Sequence, residues 1–314
     1  MGRRRKKKKI SLGARLALLV LILVIGAVGY FFSDEIKGLL SNDTGSGDPI
    51  GNLPVEGTMD VHFIDVGQAD AILVLDGDKT MLIDTGDNKN SSREKLITYL
   101  ENLSVTKIDY LILTHPDADH IGGAPQVING FDVENCILPN VVKDTKIYED
   151  TLSALEDREV NVIAPESGTV YTLSEAQFKI LAPNSEEYDD WNDYSVVVKL
   201  VFGERSIMLT GDAHHESEGE ILQKYSNSEL DADVLKVGHH GSRTSSGEDF
   251  LNAVTPSYAI ISCGEGNEYG HPHAETLSAL AEREIPVYRT DERGTIVLHT
   301  DGQEITFSFE KSAD

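Results

Sequence analysis

Thr114-His115-Pro116-Asp117-Ala118-Asp119-His120-Ile121-Gly122-Gly123 brings two histidines and two carboxylates within six residues. The run before it, Ile108-Asp109-Tyr110-Leu111-Ile112-Leu113, is apolar and reads as a buried strand. Such a strand delivers all four side chains to the loop at its C-terminal end, where open α/β sheets carry their chemistry. Imidazole and carboxylate are ligand types for Zn²⁺, Mn²⁺ or Fe.

Three more ligand-type clusters follow: Leu209-Thr210-Gly211-Asp212, Val237-Gly238-His239-His240-Gly241-Ser242, and Tyr269-Gly270-His271-Pro272-His273. The first two directly follow apolar runs, 206–209 and 232–237; the third comes shortly after 258–261. Six of the ten histidines lie in these four places, so strand ends are used repeatedly to present ligands. His62, His214, His215 and His299 fall outside the pattern and take no assigned role. Asp65, Asp70 and Asp84 flank strands near the same edge and read as turn or supporting residues. Glu186-Glu187-Tyr188-Asp189-Asp190 reads as a solvated acidic loop.

Together these motifs resemble the metallo-β-lactamase superfamily, and within it the metallo-hydrolase domain of ComEC-type competence proteins. The resemblance also runs through Phe63–Ile72, Leu82–Gly86, Ser195–Val198 and Asp233–Ser242, and covers roughly 58–309 in the expected order. It implies a four-layer αββα sandwich with metal at the sheet edges, and one or two divalent ions, zinc or manganese. It implies that Asp119, His120, Asp212 and His239 complete one metal position, with Asp212 bridging to a second. His239 is preferred to His240 because related His-x-Gly-Ser/Thr loops ligate through their first residue; His240 then packs behind it or meets the substrate. The second position departs from the family pattern. Asp117 stands where a histidine is expected, and no histidine occurs from 121 to 213. Asn192 lies near the vacant place, leaving His115 with Asp117 or water. One firm and one weak metal position are expected, and oxygen-rich ligation shifts preference toward Mn²⁺. By the same resemblance Asp119 orients the attacking water. His271 is a candidate to donate to phosphate or to protonate the leaving oxygen. Ser242 and Arg243 are candidates for phosphate contact, Arg243 being the better suited.

Outside this domain the chain changes character. Residues 1–15 carry eight positive charges and no acid. Of 27 basic residues in all, 19 then remain against 53 acidic ones, a balance near −34. That excludes a broad non-specific DNA-binding face, which needs clustered Lys and Arg. Residues 16–33 carry no charge, and as a helix would span about 27 Å, close to a bilayer core. Arg15 suits one interface and Tyr30-Phe31-Phe32 the other. The positive-inside rule keeps 1–15 cytoplasmic and sends the rest outside the cell membrane. Residues 34–57 read as a flexible tether. With no Ala-x-Ala-like site after Phe32, an uncleaved single-pass anchor is favoured over a signal peptide. Cys136 and Cys263 lie in apolar segments and read as buried small hydrophobes.

The expected fold class is therefore α/β, the sandwich at 58–314 preceded by one transmembrane helix. The expected function is a membrane-anchored, extracytoplasmic metal-dependent hydrolase, foremost a phosphodiesterase or nuclease with DNA among its candidate substrates. The alternatives are hydrolysis of another ester (a phosphocholine or wall phosphodiester, or a β-lactam) and a degenerate surface binding module.

Overall fold

Alternation of side chains sets the layers. In β1 (Met59–Phe63), β2 (Ile72–Asp76) and β3 (Lys79–Ile83), the residues Met59, Val61, Phe63, Ile72, Val74, Met81 and Ile83 share one buried face. Leu73 and Leu82 point the other way, into a separate core. Period-2 burial on both faces is what a sheet between two layers requires. The computed structural model describes residues 53–312. The expected basic tail, anchor and most of the tether fall outside that range. Among the described residues no helix is long and apolar enough to cross a membrane.

The first sheet continues in parallel from β3 through β4 (Lys107–Ile112), β5 (Asp132–Ile137) and β6 (Asn161–Ile163). Its crossovers carry α1 (Asn90–Asn102), α2 (Ala118–Ile121), α3 (Ala124–Gly130) and α4 (Lys146–Asp157). The second sheet begins as an antiparallel meander: β7 (Val170–Thr172), β8 (Gln177–Ala182), β9 (Val197–Phe202) and β10 (Arg205–Leu209). It then runs parallel through β11 (Val234–Lys236), β12 (Tyr258–Ile261) and β13 (Val287–Arg289). Here the connections are α5 (His215–Lys224), α6 (Asn227–Leu230), α7 (Glu248–Val254) and α8 (Ala274–Glu282). After α9 (Thr290–Arg293), the hairpin β14 (Ile296–Thr300) and β15 (Ile305–Phe309) returns to the first sheet beside β1.

Three apolar cores separate four layers. Phe63 and Ile83 meet Phe178, Leu200 and Ile207 between the sheets. Leu111 packs with Leu96, Val127 and Leu155 under the first helical layer. Leu235 and Ile261 pack with Ile221, Phe250 and Leu280 under the second. Burying each such side chain is worth about 1.5–3 kcal/mol. Both cysteines are buried and unpaired.

The helical stretch after β4 is divided in two at Gly122-Gly123, between α2 and α3. A Cβ on Gly122 would sit 2.1 Å from the Asn88 nitrogen, and one on Gly123 2.4 Å from the Thr85 carbonyl. The glycines let the ligand loop lie directly on the 85–88 backbone. The single-turn α6 and α9, too short to show periodicity, have no counterpart in the sequence reading.

His62, which lies outside the site, gives the fold a pH dependence. It is buried on β1 and its Nδ1 lies 2.9 Å from the Tyr99 hydroxyl. Burial, against the partial opposition of Asp60, lowers its pKa from the ordinary 6.5 to about 4. The unfolded chain therefore binds a proton between pH 6.5 and 4 that the folded chain refuses, so stability falls as pH drops through that window. The contribution is on the order of 2–3 kcal/mol. Urea unfolding of metal-free protein at pH 7 and pH 4.5 should show this loss, and His62→Gln should reduce it; an equal loss in the variant would remove His62 as its source.

Candidate metal centre

Both sheets bring the C-terminal ends of their parallel strands to one place. Asp84 follows β3, and His115, Asp119 and His120 follow β4. Asp212 follows β10, and His239 and His240 follow β11. The turns are tight: Asp84, His239 and His240 all have positive φ, at 59°, 47° and 53°. Such backbone costs of order 1–3 kcal/mol per residue and persists where the surroundings over-determine it.

Asp84 is the orienting acid. Its carboxylate accepts from the Thr114 N–H at 2.8 Å and the Thr114 hydroxyl at 2.7 Å. It also accepts from His120 Nδ1 at 2.7 Å. This fixes the His120 proton on Nδ1 and aims the Nε2 lone pair at Asp212 Oδ2, 3.2 Å away. His240 is set in the same way. Its Nδ1 donates to the Ser262 carbonyl at 2.9 Å, and its Nε2 stands 3.5 Å from both Asp119 Oδ2 and Asp212 Oδ2. His239 donates from Nδ1 to His214 Nε2 at 2.8 Å, leaving its Nε2 3.7 Å from Asp212 Oδ2.

Asp119, His120, Asp212 and His240 thus offer four ligand atoms within 4.8 Å of one another. Donors held about 2.0–2.2 Å from one tetrahedral ion lie roughly 3.3–3.6 Å apart, close to these separations. Among the described residues, His115 Nε2, His120 Nε2, His240 Nε2 and Asp212 Oδ1 are buried without a hydrogen-bond partner. Orphaned polar atoms of this kind are costly and rare, and a divalent cation would satisfy them together. The donor set fits such an ion.

The charges agree. Burial alone would raise the Asp212 pKa, but His240, His120 and His239 outweigh it and hold the carboxyl well below the usual range. Burial likewise works against ionisation of Asp119, yet the nearby His240 and His120 keep it well below its ordinary value. His115 has no facing acid at hydrogen-bonding distance, and burial followed by His120 pushes it well below 6.5. Burial works the other way at His120 and His240, but Asp212 with Asp84 raises the first well above 6.5 and Asp212 with Asp70 raises the second, so a bound cation would displace the protons these rings carry.

The metallo-beta-lactamase superfamily profile matches residues 64–265. This chain belongs to that superfamily. Its members are generally metal-dependent hydrolases. ComE operon protein 3 of Bacillus subtilis (strain 168) is 36% identical over 265 residues, which are 79% of this chain and 34% of that protein. Competence protein ComA of Neisseria gonorrhoeae is 31% identical over 235 residues, 74% of this chain and 31% of the relative. Recombination protein 2 of Haemophilus influenzae is 30% identical over 242 residues, 76% and 28% respectively. These are ComEC-type competence proteins, and the chain spans about a third of their length. Among solved structures, the metallo-beta-lactamase fold protein YhfI of Bacillus subtilis superposes with a TM-score of 0.51 at 13% identity, covering 78% of this chain and all of that one. That likeness concerns the fold.

The remaining candidates of this superfamily member sit around the cluster rather than in it. Asp117 faces outward and pairs with the Lys143 ammonium. The Asn192 side-chain amide lies 3.1 Å from His214 Nε2, on the His239 side. His271 lies between His239, with ring centroids 5.2 Å apart, and exposed Tyr269, stacked at 5.7 Å. Gln68 Nε2 donates to His271 Nδ1 at 3.4 Å, leaving the proton on Nε2. Burial, then His239 and His240, lower the His271 pKa to about 4, so the ring is neutral at pH 7. Ser242 accepts from the Thr244 hydroxyl at 3.0 Å. The Arg243 guanidinium reaches over the surface to Glu275 at 3.0 Å.

Three participants escaped the sequence reading. His214 falls outside the ligand pattern of the sequence, yet its ring stacks on His239 at 4.9 Å; its position two residues after Asp212 is the available signal. Gln68 appeared only as part of a motif. Lys236 was signalled by a single charge inside the apolar run Val234–Val237.

Proposed function

We propose that this chain is a metal-dependent phosphodiesterase, with nucleic acid as its foremost substrate class, held outside the cytoplasmic membrane by the apolar segment 16–33. The observation that carries the reading is the buried Asp119–His120–Asp212–His240 group with its convergent unpartnered donors. The relatives named for competence and recombination support the choice of phosphodiester over other esters.

Asp119, His120, Asp212 and His240 would hold the ion, with His115 and His239 beside them and Asp117 in a supporting place. A divalent ion there supplies the Lewis acidity that lets water attack at neutral pH. Asp119 is the one half-open carboxylate of the group, and it orients the attacking water. His271 donates a hydrogen bond from its Nε2–H to a phosphoryl oxygen. Buried Asp84 holds the His120 ring throughout.

A second reading, a small or neutral ester, draws on the acidic surface of the domain, where Glu186, Glu187, Asp189 and Asp190 lie near Asn192. The test is a substrate panel on a fragment from residue 58, assayed with Mn²⁺ or Zn²⁺. It contains bis-p-nitrophenyl phosphate, single- and double-stranded DNA, a phosphocholine ester and a β-lactam. Cleavage of the first three, abolished by EDTA, is expected. Cleavage of only the phosphocholine ester or the lactam would replace the nuclease reading with the second one.

A further inference from the structure

Lys236 is fully buried at the end of β11, with 0% exposure. Its Nζ lies 2.7 Å from Asp70 Oδ2, itself 1% exposed, and 3.4 Å from the Gly211 carbonyl. A buried pair of this kind is a poor source of stability, since apolar residues of similar volume usually do as well or better. Its reason has to lie in what it touches.

Asp70, Asp84 and His120 offer ligand atoms within 4.8 Å of one another, a second group that shares His120 with the first. Each member meets a polar or charged partner from within the chain, while Asp70 Oδ1 is buried without a hydrogen-bond partner. His120 Nδ1 and Asp84 satisfy each other at 2.7 Å, and Asp70 is held by Lys236. Asp70 in turn reaches the first group. Its N–H donates to the Asp119 carbonyl at 3.2 Å, its carbonyl accepts from Gly86 at 2.7 Å, and its Oδ1 stands 3.5 Å from His240 Nδ1. The ammonium thus pairs directly with Asp70 and lies within the field of Asp212 and Asp84.

We propose that Lys236 is the resident cation of the Asp70–Asp84–His120 group: its ammonium occupies the charge position that a second divalent ion would take, and so confines buried metal to the Asp119–His120–Asp212–His240 group while holding that group together before metal arrives. Lys236 is a positioning residue in this account, acting through Asp70. The inference rests on the first group taking a divalent ion, which the wild-type protein tests by itself.

The experiment is a double-mutant cycle read by melting temperature in EDTA and in saturating Mn²⁺, with bound Mn²⁺ counted by equilibrium dialysis. Lys236→Met should lower Tm in EDTA by on the order of 10 °C. In Mn²⁺ it should regain at least half of the deficit relative to wild type and bind one more ion per chain than wild type. Asp70→Asn leaves the ammonium unpaired, and Mn²⁺ should not restore it. Lys236→Met combined with Asp70→Asn should melt near wild type in both buffers and bind the wild-type number of ions. A Lys236→Met protein that is unfolded or equally destabilised in both buffers, as stable as wild type in both, or without an extra ion overturns the proposal. A wild-type chain that binds no Mn²⁺ overturns the metal-centre reading instead.

Discussion

Asp212→Asn should reduce phosphodiester turnover by on the order of 10²-fold or more and strip metal from the protein. The substitution keeps the volume but removes the negative charge that three histidines face, His120 at 3.2 Å, His240 at 3.5 Å and His239 at 3.7 Å. Asp212 is 2% exposed, so water cannot take over the lost role. Asp119→Asn and His120→Ala remove other members of the same group and should behave alike. Asp117→Ala should have a much smaller effect, because that carboxylate is spent on Lys143 at the surface. Metal content and rate measured together on all four variants check this. Retention of both by the Asp212, Asp119 and His120 variants would favour the binding-module alternative.

The next largest contrast is between neighbouring histidines. His240→Ala should lose metal and about as much activity as His120→Ala, whereas His239→Ala should keep the ion and lose considerably less. The sequence reading preferred His239, on the analogy of His-x-Gly-Ser/Thr loops. The geometry favours His240 for the buried position: it is 1% exposed, its proton is fixed by Ser262, and its Nε2 faces two carboxylates. His239 is more open and leans on His214. Metal retention after dialysis of the two variants decides between them, and a metal-free His239→Ala beside a loaded His240→Ala would restore the first preference.

The ligand-bearing strand ends were legible because they rest on a local signal: each ligand cluster directly follows or lies close behind an apolar run. The four layers were expected from the family resemblance, since strands such as β9 are buried on both faces and show no alternation. Choices that depend on backbone direction were not legible. Adjacent His239 and His240 both adopt positive φ, and nothing in the two-letter repeat says which ring turns inward. The partnerships of Lys236 with Asp70 and of His214 with His239 join segments 166 and 25 residues apart, so only the closed fold reveals them. The glycine pair at 122–123 was visible as a motif, but its purpose, contact with the 85–88 backbone, required the packing.

The central claim is that the Asp119–His120–Asp212–His240 group holds a divalent ion that is needed for phosphodiester cleavage. Elemental analysis of the domain from residue 58, purified without chelator and assayed in parallel on bis-p-nitrophenyl phosphate, tests it most directly. The expected result is at least one equivalent of Mn or Zn per chain, with activity lost on chelation and recovered on adding the ion. A folded domain that contains no metal, takes up none from millimolar Mn²⁺ or Zn²⁺, and cleaves nothing would contradict it.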